Sequence, residues 1–304
     1  MTNEILTFPR WYVTSVTPPA FSKKFRTMHS HVSHPTPASV PAIRKCTLHG
    51  YEPLAEVCRF FTEYAAVMLG CGATCQRIEK NLRRMAKAEN LVVDMLILPA
   101  HVRVTVGPAD KKECAELTLP VRKMAINYNY NTLLSKLSWK VAEGRVELRH
   151  APAMMERILA EPPFNKWKVM AGVVVANASF CRLFGGDWIA TCFVVLATLA
   201  GYSLKNIMVG RKADPKVMFI CCAFVAAIIG ASAYYIAPAH TPDVALGTSV
   251  LFLIPGIPYI NSVSDMMAGH YLCAFSRFMN ALILTACIAL GLTAAFLIMN
   301  IQIF

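Results

Sequence analysis

Apolar residues recur at helical spacing in the first part of the chain. From residue 52 to about residue 89 the spacing is three and four, which predicts two helices that are separated near Gly70 and Gly72. Helical patterns return at 132–143 and from about 151 to 160. These segments predict a group of short amphipathic helices.

A different period separates these helices. Residues 91–98 and 114–121 are rich in apolar residues, and residues 102–106 alternate between apolar and polar with a period of two, which predicts three strands. Strands between helices indicate a small α+β domain, which we place at residues 46–163.

Long apolar segments fill the rest of the chain, residues 164–304. Each is about as long as the roughly 20 residues that a helix needs to cross the hydrocarbon core of a membrane. We therefore predict an α-helical membrane protein with five transmembrane helices, at about 167–184, 188–207, 217–237, 244–264 and 278–303.

Composition supports this division. Of the 304 residues, 56% are hydrophobic and 16% are charged, against roughly 45–50% and 25% in soluble domains. Residues 167–304 hold only 7 of the 30 Lys and Arg residues and 4 of the 18 Asp and Glu residues. A water-exposed domain of this size needs more charge, so a wholly soluble protein is excluded.

The loops predict an orientation, because Lys and Arg accumulate on the cytoplasmic side of membrane proteins. Asp187 and Asp243 stand in the first and third connections, and these connections contain neither Lys nor Arg. The second and fourth connections hold the basic residues Lys205, Arg211, Lys212, Lys216 and Arg277. We expect a multi-pass protein of the cytoplasmic (inner) membrane, with the α+β domain in the cytoplasm and Phe304 outside.

Residues 1–45 are rich in proline and lack the apolar core of a signal peptide, so they are predicted to be a disordered tail. Met28 is a second candidate start. The net charge is +12, but no basic stripe with interleaved aromatic residues suggests nucleic-acid binding.

The chemistry of an enzyme or a metalloprotein is not visible in the sequence. The 11 cysteines form no CxxC pair, and Cys71 and Cys75 have no nearby pair of histidines to complete a zinc site. Neither a nucleotide-binding loop nor a Ser-His-Asp pattern is present. We expect no enzymatic activity, no metal and no cofactor.

The fourth predicted span carries the most informative motif. Pro255, Gly256 and Pro258 interrupt an apolar run, and Asn261 and Asp265 follow. Two prolines around a glycine break a helix, and transporters use broken helices to hold polar substrates. A simple kink, or a span that ends early with Asp265 in interfacial water, is the alternative.

Two polar residues in the first span are also candidates for substrate binding. Arg182 is costly inside a membrane, although it could reach the outer headgroups or pair with Asp187. Asn177 could contact substrate or form an interhelical hydrogen bond. In the α+β domain, the spacing of Arg77 and Glu79 predicts a solvated helix face.

Several motifs together resemble the threonine/serine exporter family. Gly72-Ala73-Thr74-x-x-Arg77-Ile78-Glu79 followed by Arg84-Met85-Ala86 resembles the opening helix of the family, and Val141-Ala142-Glu143-Gly144 resembles its second helical landmark. Phe184-Gly185-Gly186-Asp187-Trp188 resembles the turn between its first two spans. The most specific motif is Pro255-Gly256-Ile-Pro258-x-x-Asn261-x-x-x-Asp265. The resemblance covers about residues 52–304, while the 45-residue tail and Arg182 depart from the family pattern.

The resemblance implies a function and a partner. Single-chain members have ten spans and export threonine and serine, while a split form has a five-span larger subunit, and one split pair is associated with succinate. This chain resembles that larger subunit, which implies proton-driven export of a small carboxylate-bearing metabolite with a small membrane subunit that supplies the remaining spans. A membrane-anchored regulatory or scaffold protein with a ligand-binding cytoplasmic domain is the alternative.

This implied substrate suggests roles for the broken helix. Pro255, Gly256 and Pro258 would leave backbone amides free at the start of a half-helix, where the helix dipole favours an anion. Asn261 would donate side-chain hydrogen bonds to the substrate, and Asp265 would carry the coupled proton. Arg77 and Glu79 belong to the cytoplasmic motif and receive no assigned role.

Overall fold

The computed structural model describes residues 44–45, 52–110, 113–122, 124, 126–162, 164–236 and 240–300. These residues belong to one compact unit. Apart from Arg44 and Lys45, the predicted tail lies outside the described residues. The boundary that we place between residues 163 and 164 stays a prediction.

The described residues of the first part of the chain form four α-helices and a small sheet, as the two periodicities predict. The helices are α1 (Glu52–Gly70), α2 (Cys75–Ala88), α3 (Tyr128–Ala142) and α4 (Ala151–Leu159). The strands are β1 (Arg44–Lys45), β2 (Leu91–Ile97), β3 (His101–Pro108) and β4 (Ala115–Pro120). The strand order is β1-β4-β3-β2, and every pairing is antiparallel.

Alternation along β3 explains how the sheet and α1 share one core. Val102, Val104 and Val106 are fully buried on one face of the strand. They belong to the same hydrophobic cluster as Phe61 and Met68 of α1. Burial of branched side chains on one face of a strand favours the sheet, and the spacing of α1 supplies the matching apolar stripe.

The turn between α1 and α2 depends on its glycines. A Cβ atom on Gly70 would lie 2.4 Å from the carbonyl oxygen of Arg122, so the backbone segments approach too closely for a side chain. Gly72 has a φ of +87°, a conformation that glycine adopts without strain. The predicted interruption at these residues is therefore a real turn, and it exposes the first turn of α2 to the second half of the chain.

The regular elements in the described segments of the second half of the chain are all helices. The helices are α5 (Lys166–Leu183), α6 (Trp188–Gly210), α7 (Pro215–Ala231), α8 (Ala233–Ile236), α9 (Pro242–Ser249), α10 (Gly256–Met267) and α11 (Tyr271–Met299), with a 3-10 turn at Leu251–Leu253. The last helix begins seven residues before the predicted fifth span, so Arg277 lies within α11 instead of in a loop.

Small residues allow the long helices to pack closely. A Cβ atom on Gly291 of α11 would lie 2.4 Å from the carbonyl oxygen of Ile220 in α7. A Cβ atom on Gly201 of α6 would lie 2.6 Å from the ring of Phe252. Close approach of this kind is typical of helices that associate in membranes. These glycines are therefore used for packing within the chain.

Three described helices are long and apolar enough to cross a membrane: α6, α7 continued to Tyr235, and α11. The predicted fourth span is a pair of helices, Pro242–Leu253 and Gly256–Met267, which meet at an angle of 62°. Helix α5 falls outside this group, because its 18 residues include three charged side chains. Length and composition thus account for three or four of the five predicted spans.

Candidate functional site

The helix break lies where the proline-glycine motif predicts it. The 3-10 turn ends at Leu253, and α10 begins at Gly256 after Ile254 and Pro255. The amide of Gly256 bonds the carbonyl oxygen of Ile254 at 2.9 Å. Because Pro258 has no N–H group, the first turn of α10 keeps one amide, that of Ile257, without a partner among the described residues.

Asp265 lies two turns further along α10 and is buried completely. It is the only charged side chain among the described residues that are buried. Its Oδ1 atom accepts a hydrogen bond of 2.8 Å from the backbone amide of Cys75, the first residue of α2. Thr74, the N-cap residue of α2, makes no side-chain capping bond. Asp265 therefore caps α2 from another part of the chain, where the helix dipole favours a carboxylate.

Arg277 of α11 supplies the positive charge beside this carboxylate. Its Nε atom lies 3.2 Å from Oδ2 of Asp265, and its side chain is 17% exposed. The two groups form an ion pair, but Oδ2 receives no aligned hydrogen bond. Arg277 also donates a 2.6 Å hydrogen bond from Nη2 to the carbonyl oxygen of Ala73. One arginine thus holds both α10 and the turn before α2.

Asn261 completes this polar junction, which we define as Asn261, Asp265 and Arg277 with the backbone of residues 72–75. Its Nδ2 atom donates a 2.8 Å hydrogen bond to the carbonyl oxygen of Gly72. Three side chains of the second half of the chain therefore bind backbone atoms of a single turn in the first half, at residues 72, 73 and 75. Asn261 and Asp265, which belong to one sequence motif, therefore act at the same place in the structure. Both bind the backbone at the start of the motif that also contains Arg77.

A second polar contact lies at the edge of the junction. Nε2 of His270 is 3.2 Å from Oε1 of Glu79, and each side chain is 20% exposed. Glu79 also lies 3.5 Å from Nη2 of Arg83. The expected solvated face is thus wrong for Glu79, which packs against the loop between α10 and α11. Helical spacing could not reveal this contact because the partner is almost 200 residues away.

Two thiol groups lie next to the junction. Cys75 and Cys273 are both buried, and Sγ of Cys273 lies 3.4 Å from the carbonyl oxygen of Ile97. The hydrogen bond with Cys273, together with burial and the nearby charge of Asp265, raises the pKa of the Cys75 thiol well above its usual range. Cys75 therefore stays protonated. The described residues contain no group of three His, Cys, Asp or Glu side chains that could hold a metal ion.

Asn177 and Arg182, the other predicted substrate contacts, lie apart from the junction. Asn177 is buried, and its Nδ2 atom bonds Thr198 of α6 at 2.7 Å and the carbonyl oxygen of Thr248 at 3.1 Å. Arg182 is exposed at the end of α5 and lies over the ring of Trp188, 4.4 Å from its centroid. These contacts favour an interhelical hydrogen bond for Asn177 and a surface position for Arg182.

A cavity of about 720 Å³ adjoins the junction. It lies between α2, α3 and the start of α10, and its basic residues are Arg77, Lys80, Arg84 and Lys136. Asn261 of the junction lines it as well. Of these residues, the sequence singled out Arg77 and Asn261. The repeat of basic residues three and seven positions after Arg77 along one helix face could have found Lys80 and Arg84. It could not have found Lys136, which lies on α3.

Comparison with known proteins decides the family. The sequence model described as "Putative threonine/serine exporter" matches residues 59–299. The chain belongs to the threonine/serine exporter family. Membership and the long apolar helices make it a multi-pass membrane protein of a transporter family. No solved structure matches the chain.

Three relatives are similar over different parts of the chain. A Klebsiella aerogenes protein named "Probable succinate transporter subunit YjjP" is 32% identical over 133 residues, which are 43% of this chain and 52% of that protein. The Escherichia coli K12 protein of the same name is 29% identical over 140 residues, 46% and 55% of the two chains. A Mycobacterium tuberculosis protein named "Probable threonine/serine exporter" is 25% identical over 237 residues, 75% and 43%. The chain spans about half the length of the curated relatives that it matches.

Proposed function

We propose that this chain is the larger subunit of a secondary transporter that exports a small carboxylate-bearing metabolite and is driven by the proton gradient. The substrate class covers threonine and serine as well as dicarboxylates such as succinate, and the location is the cytoplasmic membrane. A smaller membrane subunit would supply the remaining spans. The names of the relatives support the class of function, and two of them are named as subunits.

The observation that carries this proposal is the buried carboxylate after the helix break. An ionised group away from water is costly unless it is paired, and in membrane proteins such a group is a functional candidate. Asp265 stands on the half-helix that follows Pro255 and is held by Arg277 and by the amide of Cys75. Its charge therefore links the broken helix to the cytoplasmic domain.

This link suggests how a proton could move the helix. Protonation of Asp265 removes the negative charge that pairs with Arg277 and that favours the N-terminus of α2. The junction then loses its main electrostatic attraction, and α10 is free to move relative to the cytoplasmic domain. Pro255, Gly256 and Pro258 provide the flexible point, and Asn261 contacts the substrate when it leaves Gly72.

Helix α5 is proposed as a full span despite its three charges. Met170, Asn177 and Cys181 along α5 each contact a residue of α6, with partners Ser203, Thr198 and Thr191 in the reverse order. The two helices therefore lie antiparallel along most of their lengths. At 1.5 Å per residue, the 18 residues of α5 extend about 27 Å, close to the thickness of the hydrocarbon core.

The position of the junction supports five crossings over four. Helix α5 follows directly from the cytoplasmic domain, and the end of α10 returns to it through Asp265. An even number of crossings must therefore lie between the start of α5 and the end of α10. Helices α6 and α7 provide two of these crossings. If α5 and the bent pair also cross, the number between these points is four, and α11 adds the fifth crossing. Five crossings put the two ends of the helical half on opposite sides of the membrane, which agrees with the proposed N-in, C-out orientation.

Transport by purified protein in proteoliposomes tests the proposal. We expect Asp265→Asn to abolish pH-driven efflux but to keep counterflow, because counterflow requires binding and conformational exchange but no net proton movement. Asn261→Ala should weaken substrate binding instead. The double variant Asp265→Asn with Arg277→Gln controls for an unpaired buried arginine. Full pH-driven efflux by the single variant would remove the proton role from Asp265.

The subunit and the orientation need separate measurements. We expect no transport from this chain alone and transport after co-reconstitution with the small subunit, so that activity of the purified single chain would contradict the proposed partnership. An alkaline phosphatase fusion after Asn300 should be active, while a fusion after Val209 should be inactive. The opposite pattern would overturn the orientation.

A further inference from the structure

Two facing rows of polar side chains form the cavity beside the junction. Helix α2 contributes residues 77, 80, 81 and 84, which share one face of the helix. Helix α3 contributes residues 128, 132, 135, 136 and 139, which also share one face. Residues at the beginning of α10 form a third wall. The cavity is thus built by three helices, and its volume of about 720 Å³ is typical of small-molecule sites.

Positive charge dominates this cavity. Arg77, Lys80, Arg84 and Lys136 line it, and no carboxylate does. Within the described part of the chain, none of the four forms an ion pair with an acidic side chain. Like charges that share a concave surface repel one another and concentrate anions. The lining therefore favours an anionic occupant.

Arg84 is held in place before any ligand binds. Its Nη1 atom donates hydrogen bonds to Ser138 Oγ at 2.7 Å and to Asn81 Oδ1 at 3.2 Å. Its guanidinium group also lies 3.7 Å from the centre of the Trp139 ring. Asn81 is itself fixed, because its Nδ2 atom bonds the hydroxyl groups of Tyr64 and Ser135. A fixed arginine loses little entropy when it binds a carboxylate.

The spread of the cations indicates the shape of the ligand. Arg77 and Arg84 are seven residues apart on α2, which corresponds to about 10 Å along the helix. Lys136 faces them from α3. A compact anion such as phosphate needs donors that converge on one point, whereas a dicarboxylate carries a charge at each end. A zwitterionic amino acid would leave its ammonium group among four cations without a counter-charge.

The third wall connects the cavity to the proposed transport helix. Ile260, Asn261 and Ser264 of α10 line the cavity, and Asn261 also bonds the backbone of Gly72. A ligand in the cavity would therefore touch both the cytoplasmic helices and the helix that follows the break. We infer that this cavity is a cytoplasmic binding site for a small dicarboxylate, which is loaded there before it is exported. The role in loading rests on the proposed function, whereas the binding does not.

Calorimetry on the purified full chain in detergent tests the binding directly. Succinate, threonine and inorganic phosphate are the three probes, and we expect succinate to bind most tightly. Lys80→Gln and Lys136→Gln should each weaken succinate binding about tenfold or more, because each removes a charged partner of a carboxylate. Both side chains are exposed, so these variants are expected to fold.

Matched controls separate the cavity from general electrostatics. Lys87 of α2 and Lys140 of α3 are exposed and lie outside the cavity lining. Lys87→Gln and Lys140→Gln make the same change in net charge on the same helices, and we expect succinate affinity within about twofold of the wild type. Equal losses in test and control variants would overturn the site.

The remaining outcomes distinguish this inference from the proposed function. Tighter binding of phosphate or threonine than of succinate would overturn the dicarboxylate assignment. Succinate binding that depends on Lys80 and Lys136, in a protein that fails to transport with its partner subunit, would support the site and contradict the export function. Transport of succinate that is unchanged in both lysine variants, without measurable binding, would contradict the site and leave the export function standing.

Discussion

Asn177 and Asp265 are both buried polar residues in the apolar half of the chain, but their partners differ. Asn177 is neutral, and its two hydrogen bonds go to α6 and to the end of α9, all within the helical bundle. Asp265 is charged, and its contacts go to α11 and to helix α2 of the α+β domain. The first arrangement fastens helices to each other, whereas the second makes the attachment of two parts of the chain depend on one charge. Burial alone would not distinguish them.

The largest expected effect is on the charged site. Asp265→Asn keeps an oxygen that can accept the hydrogen bond from Cys75 but leaves the largely buried Arg277 without a negatively charged partner. We expect the free energy of unfolding to fall by about 3 kcal/mol, because removal of one member of a buried ion pair leaves an uncompensated charge. Denaturation in mild detergent, followed by tryptophan fluorescence, measures this change.

The double variant Asp265→Asn with Arg277→Gln sharpens this test, since it removes both charges. We expect it to recover at least half of the lost stability. A double variant less stable than the single one would mean that the arginine acts mainly through its bond to Ala73 and not through the carboxylate.

A smaller effect is expected at the neutral site. Asn177→Ala removes two hydrogen bonds between helices, and we expect a loss of about 1 kcal/mol in unfolding free energy with no change in substrate affinity. Ser179→Ala is the control, because Ser179 is exposed and bonds only the carbonyl oxygen of Val175 in its own helix. A clear loss of substrate affinity in Asn177→Ala with normal stability would assign Asn177 to the substrate.

The smallest effect is expected at Arg182, the exposed charge at the end of α5. Arg182→Gln removes the stacking on Trp188 and the hydrogen bond from Nη1 to the carbonyl oxygen of Gly186, and at this exposed position we expect the free energy of unfolding to fall by only about 0.5 kcal/mol. We expect transport to remain at the wild-type rate in the co-reconstituted system. A tenfold loss of transport would place the substrate path at this end of the helix and would weaken the contrast drawn above.

The sequence pattern predicted helices, strands and breaks well where the cause of the local structure lies within the same short segment. The alternation of Val102, Val104 and Val106 matches the buried face of β3, and Pro255 and Gly256 mark the break before α10. Membership of the threonine/serine exporter family, predicted from the motifs, is confirmed. In these cases a short segment contains the physical cause of its own structure.

Contacts between distant segments could not be predicted in the same way. The charge pattern places Arg277 in a loop and uses it as a sign of orientation, but Arg277 lies in α11 and pairs with Asp265. Helical spacing places Glu79 on a solvated face, but its side chain contacts His270. The single Arg in a charge-poor segment was a usable signal, because a charge in such a segment needs a partner. The identity of that partner required the fold.

The cap that Asp265 provides for α2 has a consequence for biogenesis. Cys75 and Asp265 are 190 residues apart in the chain, and at about 5–20 residues per second the ribosome needs roughly 10 to 40 seconds to synthesise that interval. During this time the amide of Cys75 lacks the carboxylate of Asp265 as its hydrogen-bond acceptor, and the Cys75 thiol lacks its partner Cys273. The α+β domain therefore completes its fold only after α10 has been made and placed, so folding of this domain depends on the second half of the chain.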